Sequence, residues 1–131
     1  MKERIICAAI KINDGKKYKN QPINVRKGFI ITGRRHHDCY NTLSTIATAF
    51  FHDNKVVMDH TVEWIENNKR KHQGFITTKN RYVDRKEAWI IAQRENQIIY
   101  GPKNNSNDPE MNQLISENLY DDNYLLVKLF L

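Results

Sequence analysis

Short apolar runs along the chain predict three β-strands. Residues 4–12 contain IICAAI, a continuous apolar stretch of the kind found in a central, fully covered strand. The stretches GFIIT at 28–32 and GFIT at 74–77 have the same character and are each followed by polar residues. We therefore expect these three segments to share one sheet.

Hydrophobic residues at helical spacing predict two helices, one after each of the last two strands. The first apolar stripe has the spacing i, i+3, i+4 and i+7 and is formed by Leu43, Ile46, Ala47 and Phe50. The second stripe contains Ala88, Ile91 and Ala92. Asp84 precedes that stripe, with Glu87 three residues later, which is the spacing of a capping box. Asp38 or the residue before it is the expected cap of the first helix.

Weaker patterns predict the smaller elements. Lys55–Met58 and Ile98–Tyr100 are expected to form short strands, and Asp59 to begin a brief helix. The polar stretch 66–73 is expected to be an exposed connection, and 101–110 a surface loop. The final LLVKLFL is too apolar to be left in water, so it should complete the core or form a contact between subunits of a homo-oligomer.

Together these elements predict one α+β domain covering residues 1–131. We expect a mostly antiparallel sheet with two or three helices on one face. No run of about 18 apolar residues is present, so no membrane span is expected. Cys7 and Cys39 occur without a secretory signal, which favours free thiols and a cytoplasmic location.

Positive charge is concentrated in the first hundred residues. Residues 1–100 contain 19 Lys and Arg against 10 Asp and Glu, whereas residues 101–131 contain 2 against 5. A basic body suits polyanions or phosphorylated small molecules, although a solvated surface has the same composition.

Two stretches of the chain are similar to each other. GFIITGRRHHD at 28–38 and GFITTKNRYVD at 74–84 are identical at six of eleven positions, at an offset of 46 residues. The similarity suggests an internal strand–helix duplication covering 28–51 and 74–96. It aligns Arg35 with Arg81, each three residues before an aspartate.

This alignment crowds cations around the starts of two helices, where the helix dipole already favours anions. We therefore expect a phosphate-binding site; the alternative is that these side chains extend into water or pair with the acidic C-terminal segment. Arginines would hold the phosphates, a histidine would add a hydrogen bond, Tyr82 would cover a base or ribose, and Asn80 would contact a base edge or only form the turn. The candidate ligand-binding residues are Arg34, Arg35, His36, His37, Asn80, Arg81, Tyr82 and Arg85.

Catalytic and metal-binding roles are less well supported. Adjacent His36 and His37 do not easily share one metal, even with Cys39 and a distant His52, His60 or His72, so we expect no metal and no cofactor. Cys39 is more typical of a core residue than of a nucleophile. If the protein is an enzyme, His36 and His37 would be the acid and base of a metal-independent phosphodiesterase. A further alternative is RNA or DNA binding through the basic face.

GRRHHDC, QGFITTKNRYVDRKEA and the late ENLY together resemble a group of small phage and prophage proteins. That group carries GRRHxDC and GFxTxxxRFVDRxEA segments and an acidic LY near the end. The resemblance implies a phage context but supplies no catalytic residues. Small phage proteins include sponges that sequester cyclic-nucleotide or ADP-ribose signals of host immunity. By this analogy the expected function is sequestration of a phosphorylated signal without turnover, which would counteract host defence.

Overall fold

The computed structural model describes residues 2–50, 72–100 and 112–120. This part of the chain contains four strands, two α-helices and one turn of 3₁₀-helix. In chain order they are β1 (Ile5–Ile12), β2 (Phe29–Gly33), α1 (His36–Phe50), β3 (Gln73–Thr77), β4 (Tyr82–Asp84), α2 (Arg85–Arg94) and the 3₁₀ turn Ser116–Asn118.

The four strands form one antiparallel sheet in the order β2-β1-β3-β4. Strand β1 is central: Ala8 pairs with Gly33 of β2 on one side and with Phe75 of β3 on the other. Phe75 in turn pairs with Val83 of β4. The α+β class and the antiparallel sheet are therefore confirmed.

Both helices pack on the same face of this sheet, around Phe75. Phe75 is fully buried, together with Ala8, Val83 and residues from both helices. The helical contributions to this core are Cys39 and Leu43 from α1 and Ala88, Trp89, Ile91 and Ala92 from α2. Burying these side chains is the main stabilising contribution to the domain.

Residues 21–24 of the loop 13–28 link the two edges of the sheet. Gln21 accepts a hydrogen bond from the backbone of Ile30 on β2, and Asn24 bonds both backbone groups of Tyr82 on β4. Because β2 and β4 are the two edges of the sheet, the chain between these contacts spans its width. Pro22 and Val25 of this loop are buried.

Three local expectations are wrong. Helix α1 begins at His36, so Asp38 lies inside its first turn and does not precede it. Residues 98–100 form no strand, although Ile99 donates a backbone hydrogen bond to Asn118. The stretch 66–73 is not wholly exposed, because His72 is buried and Gln73 begins β3.

The two similar stretches lead into different structures. Strand β2 turns directly into α1, whereas β3 is followed by a tight turn and by β4 before α2 begins. Asn80 has a φ of 57° in that turn, a conformation that asparagine tolerates. The equivalence of the two stretches therefore ends where the strands end.

Other expected elements lie outside the described residues: the strand at Lys55–Met58, the helix after Asp59, the loop 101–110 and the apolar end of the chain. Within the described residues, no helix is long and apolar enough to cross a membrane.

Gly74 is required by the close approach of β4. A Cβ at Gly74 would lie 2.2 Å from the carbonyl oxygen of Val83 and 2.7 Å from the ring of Tyr82. We predict that Gly74→Ala lowers the free energy of unfolding by about 2 kcal/mol or more, because backbone must move. Gly15→Ala is the control, since Gly15 has no atom within 4 Å of such a Cβ and only a positive φ; it should cost about 1 kcal/mol. Equal losses in urea unfolding would contradict the prediction.

Candidate anion-binding site

The turn between β2 and α1 places Arg34 and Arg35 beside the sheet. Gly33 allows this tight turn, because a Cβ there would come within 3.1 Å of Asp38 Cβ and of the backbone nitrogen of Cys39. The carboxylate of Asp38 accepts a hydrogen bond from the backbone N–H of Arg35 at 3.2 Å. Asp38 therefore closes the first turn of α1 from within.

His36 reaches across β1 to β3. Its Nε2 donates to the carbonyl oxygen of Gly74 at 2.8 Å, and its ring meets the ring of Phe75 edge to face. Burial lowers the pKa of His36, and nearby Arg85 lowers it further. The neutral ring therefore keeps its proton on Nε2, where the carbonyl uses it.

A chain of polar contacts connects the starts of the two helices beneath His36. Arg85 Nη1 lies 3.5 Å from Gln73 Oε1, and Gln73 Nε2 donates to the hydroxyl of Tyr40 at 2.9 Å. The Tyr40 hydroxyl is also hydrogen-bonded to Nε2 of His72 at 2.7 Å. These contacts fix Arg85 relative to α1.

The segment 112–120 contacts three arginines in succession. Nε of Arg85 donates to the carbonyl oxygen of Leu114 at 3.1 Å, and Nη1 of Arg35 lies 3.9 Å from Glu117 Oε1. The guanidinium of Arg34 lies 4.9 Å from the centre of the Tyr120 ring. One short segment therefore lies along all three arginines. We call Arg34, Arg35, His36 and Arg85 the basic cluster.

The hydrogen-bond donors of the basic cluster are mainly guanidinium groups and, to a smaller extent, helix N–H groups. Asp38 holds the N–H of Arg35, and Asp84 caps α2 by accepting from the N–H of Glu87 at 2.8 Å. Carboxylates thus already satisfy part of the electropositive start of each helix. Nε and Nη2 of Arg35 are buried, where a charge-assisted hydrogen bond is stronger than in water.

Arg81 lies in a different ion-pair group. Its Nε and Nη2 each bond to one oxygen of Glu3 at 2.8 Å, and Nη2 also bonds to Glu87 at 2.8 Å. Thr77 donates its hydroxyl to the same Glu3 carboxylate. The hydrogen bonds from Arg81 hold the pKa of Glu3 at about 2, and the carboxylates raise the pKa of Arg81. The structure therefore does not bring Arg81 together with Arg35.

Asn80 and Tyr82 also lie away from the basic cluster. Asn80 occupies the turn after β3, where its carbonyl oxygen accepts from Ile23. The Tyr82 ring covers Gly74 on the face of the sheet opposite the helices, and its hydroxyl donates to the carbonyl oxygen of His72 at 2.6 Å. Burial raises the pKa of Tyr82.

His37 is exposed on α1, and consecutive helical residues point about 100° apart. It therefore does not share a direction with the half-buried His36. Cys39 is fully buried, and burial raises the pKa of its thiol to about 12. Such a thiol stays protonated at neutral pH, which is the behaviour of a core residue.

Metal binding finds no support in residues 2–50, 72–100 and 112–120, where no three His, Cys, Asp or Glu side chains are grouped to hold an ion. His52 and His60 lie outside these ranges.

Sequence reasoning missed Gln73 as a neighbour of the cluster, and it offered the acidic C-terminal segment as a partner without singling out Glu117. The only available signal for Gln73 was its position directly before Gly-Phe, at the predicted start of a strand. Glu117 belongs to the acidic ENLY stretch, whose charge is opposite to that of the cluster. Neither signal specifies a partner, because each contact joins segments far apart in sequence.

One family comparison bears on this chain. The family described as "Phage T4 y16D protein" matches residues 4–120, which include every described element. The chain belongs to this family. It is thus a phage-type protein, and its match covers the sheet, both helices and the segment that lies along the basic cluster. No curated protein and no solved structure shows significant similarity to it.

Arg81→Ala is predicted to destabilise the fold, because it leaves the buried Glu3 carboxylate without its bidentate partner. We expect a loss of about 2–4 kcal/mol in the free energy of unfolding. Arg26→Ala is the control, since Arg26 is exposed and lies far from Glu3 in sequence; its cost should stay below about 1 kcal/mol. A loss for Arg81→Ala no larger than the control would show that the ion pair is not structural.

The ion pair between Glu3 and Arg81 should make the free energy of unfolding depend on pH in the acid range. The folded-state pKa of Glu3 is about 2, against an ordinary value of 4.5. A lowered pKa stabilises the fold above pH 4.5, and this stabilisation is lost as the pH falls from 4.5 towards 2. Chemical unfolding across this range should show a shallower decline in Glu3→Gln than in the wild type. Parallel declines would refute the assignment.

Proposed function

We propose that this phage protein binds a phosphorylated small molecule at the basic cluster and holds it without turnover. The supporting observation is that residues 114–120 contact arginines from two separate segments, Arg34 and Arg35 before α1 and Arg85 at the start of α2. Arginine forks match phosphate oxygens in geometry and stay charged at every physiological pH.

The carboxylate of Glu117 supports an anionic ligand. It lies 3.9 Å from Nη1 of Arg35 and is 40% exposed, so it is at the rim of the cluster. A phosphate presents more acceptor oxygens and more charge than one carboxylate, so it would compete with Glu117 for Arg35. Net binding then depends on the difference between these two interactions.

The histidines support retention over cleavage. A phosphodiesterase that uses His36 and His37 would need both rings at one phosphate, yet His36 bonds to Gly74 and His37 is exposed at the next helical position. The proton on Nε2 of His36 is already donated to a carbonyl oxygen. A nucleotide-type immune signal of the host cytoplasm is the ligand class that fits both the cluster and a phage protein.

Binding should be lost when the cluster is weakened. We expect the wild-type protein to bind at least one member of a panel of cyclic oligonucleotides, ADP-ribose and cyclic ADP-ribose isomers. Arg35→Ala should bind that ligand about tenfold or more weakly than wild type, because charge-assisted hydrogen bonds are lost. Arg94→Ala is the matched control and should bind normally, because Arg94 is exposed at the far end of α2. Isothermal titration calorimetry gives the affinities.

Ligand recovered after heat denaturation should be intact. Cleaved product would instead favour the phosphodiesterase alternative. No binding across the panel, or equal binding by Arg35→Ala and wild type, would refute the proposal. Native mass spectrometry of the same complexes reports the number of subunits, which we propose to exceed one on the strength of the apolar LLVKLFL end.

A further inference from the structure

The loop 13–28, which connects β1 to β2, is closed on itself. The backbone N–H of Gly28 donates to the carbonyl oxygen of Lys16 at 2.7 Å, so the end of the loop returns to its beginning. Gly28 has a φ of 80°, and a Cβ there would lie 2.1 Å from the carbonyl oxygen of Ile12. Together with the contacts of Gln21 and Asn24 to the sheet edges, this closure gives the loop a defined shape.

The side chains of this loop carry a net charge of +4, from five cations and the single carboxylate of Asp14. Its five cations are all exposed, and none of them forms an ion pair with another residue in the described part of the chain: Lys16, Lys17, Lys19, Arg26 and Lys27. No Asp or Glu occurs between residues 15 and 37. The backbone bond between Gly28 and Lys16 brings cations from both ends of the loop together. This arrangement differs from Arg81, whose charge is matched by carboxylates.

An aromatic ring is fixed among these cations. Tyr18 is 44% exposed, and its ring meets the Phe29 ring in a T-shaped contact with centroids 5.2 Å apart. Its hydroxyl donates to the carboxylate of Asp14. A T-shaped contact with Phe29 covers at most one face of the Tyr18 ring, and the contact and the hydrogen bond restrict its rotation.

We propose that the loop 13–28 binds single-stranded nucleic acid, with its cations along the phosphates and Tyr18 stacked on an unpaired base. This pairing of a basic surface with a rigid aromatic ring is what sequence-tolerant single-strand binding requires. An anionic membrane fits less well, because inserting Tyr18 would carry the Asp14 carboxylate towards the lipid. The activity is separate from the basic cluster, because the loop enters β2 at Phe29 whereas Arg34 and Arg35 follow the other end of that strand at Gly33.

Fluorescence anisotropy with a labelled oligothymidylate of about twenty nucleotides, starting at about 50 mM salt, tests the proposal. A duplex of equal length and vesicles of phosphatidylcholine with phosphatidylserine are the competing probes. The loop variants are Lys16→Ala with Lys17→Ala, and Arg26→Ala with Lys27→Ala. Lys2→Ala with Arg4→Ala is the matched control, because it removes two exposed cations near the start of β1. Circular dichroism and thermal unfolding establish that each variant is folded.

We expect each loop pair to weaken binding about fivefold or more and to reduce the salt slope by about one, while the control changes affinity less than about twofold. Tyr18→Ala should weaken binding further, and Tyr18→Phe should bind like wild type because it keeps the ring. Arg35→Ala should bind the oligonucleotide normally, which separates this activity from the proposed small-molecule site.

Three results would each overturn the inference. One is the absence of oligothymidylate binding at low salt. Another is a loss in the loop pairs no greater than in the control pair. The third has two parts: the protein binds the duplex or the vesicles as tightly as the single strand, and Tyr18→Ala does not change the affinity for the single strand. None of these results bears on nucleotide binding by the basic cluster, which is measured with its own ligands and variants.

Discussion

The pairing of β1 with a neighbour on each side is the constraint on which the rest of the structure depends. Since β2 and β3 are both antiparallel to β1, they run in the same direction. Strand β4 reverses that direction before α2 begins, so α1 and α2 follow strands of opposite orientation. Their first turns nevertheless meet above Gln73 and Gly74, where α1 supplies His36 and α2 supplies Arg85. Without β1 between them, residues 34–36 and 85 would have no common surface.

How far the sequence predicts this fold depends on how local each signal is. Strands β1, β2 and β3, the α+β class and the Asp84 cap were predictable, because hydrophobic period, apolar runs and capping spacing are properties of consecutive residues. The predicted equivalence of Arg35 and Arg81 does not hold in the structure, although six of eleven positions match. Three residues, Tyr82–Asp84, form β4 in one copy, and a strand that short has no periodicity to detect. The match therefore located two strands correctly and misplaced the arginine that follows one of them.

The neighbours of the basic cluster could not be predicted for a different reason. His72 follows a run of charged residues that is typical of an exposed connection, yet it is 4% exposed and bonded to Tyr40. Asn118 is fully buried because its amide bonds the backbone of Ile115 and Tyr100. A polar residue can be buried once partners satisfy it, and those partners come from distant segments. Composition predicts the average exposure of a residue type but not which individual residue finds such partners.

The three groups of cations show why a net charge of +6 does not by itself indicate a function. Arg81 is bound in two places by Glu3 and again by Glu87, so its charge contributes to the fold and little remains to attract a ligand. The arginines of the basic cluster contact the Glu117 carboxylate and several uncharged groups. The side chains of the loop 13–28 cations form no ion pair within the described residues, although the backbone N–H of Lys16 donates to Asp14. The match between cation and carboxylate is thus closer at Arg81 than in the loop. The middle group combines charge with fixed geometry, as recognition of a small ligand requires, and the loop has the diffuse charge that suits a polyanion.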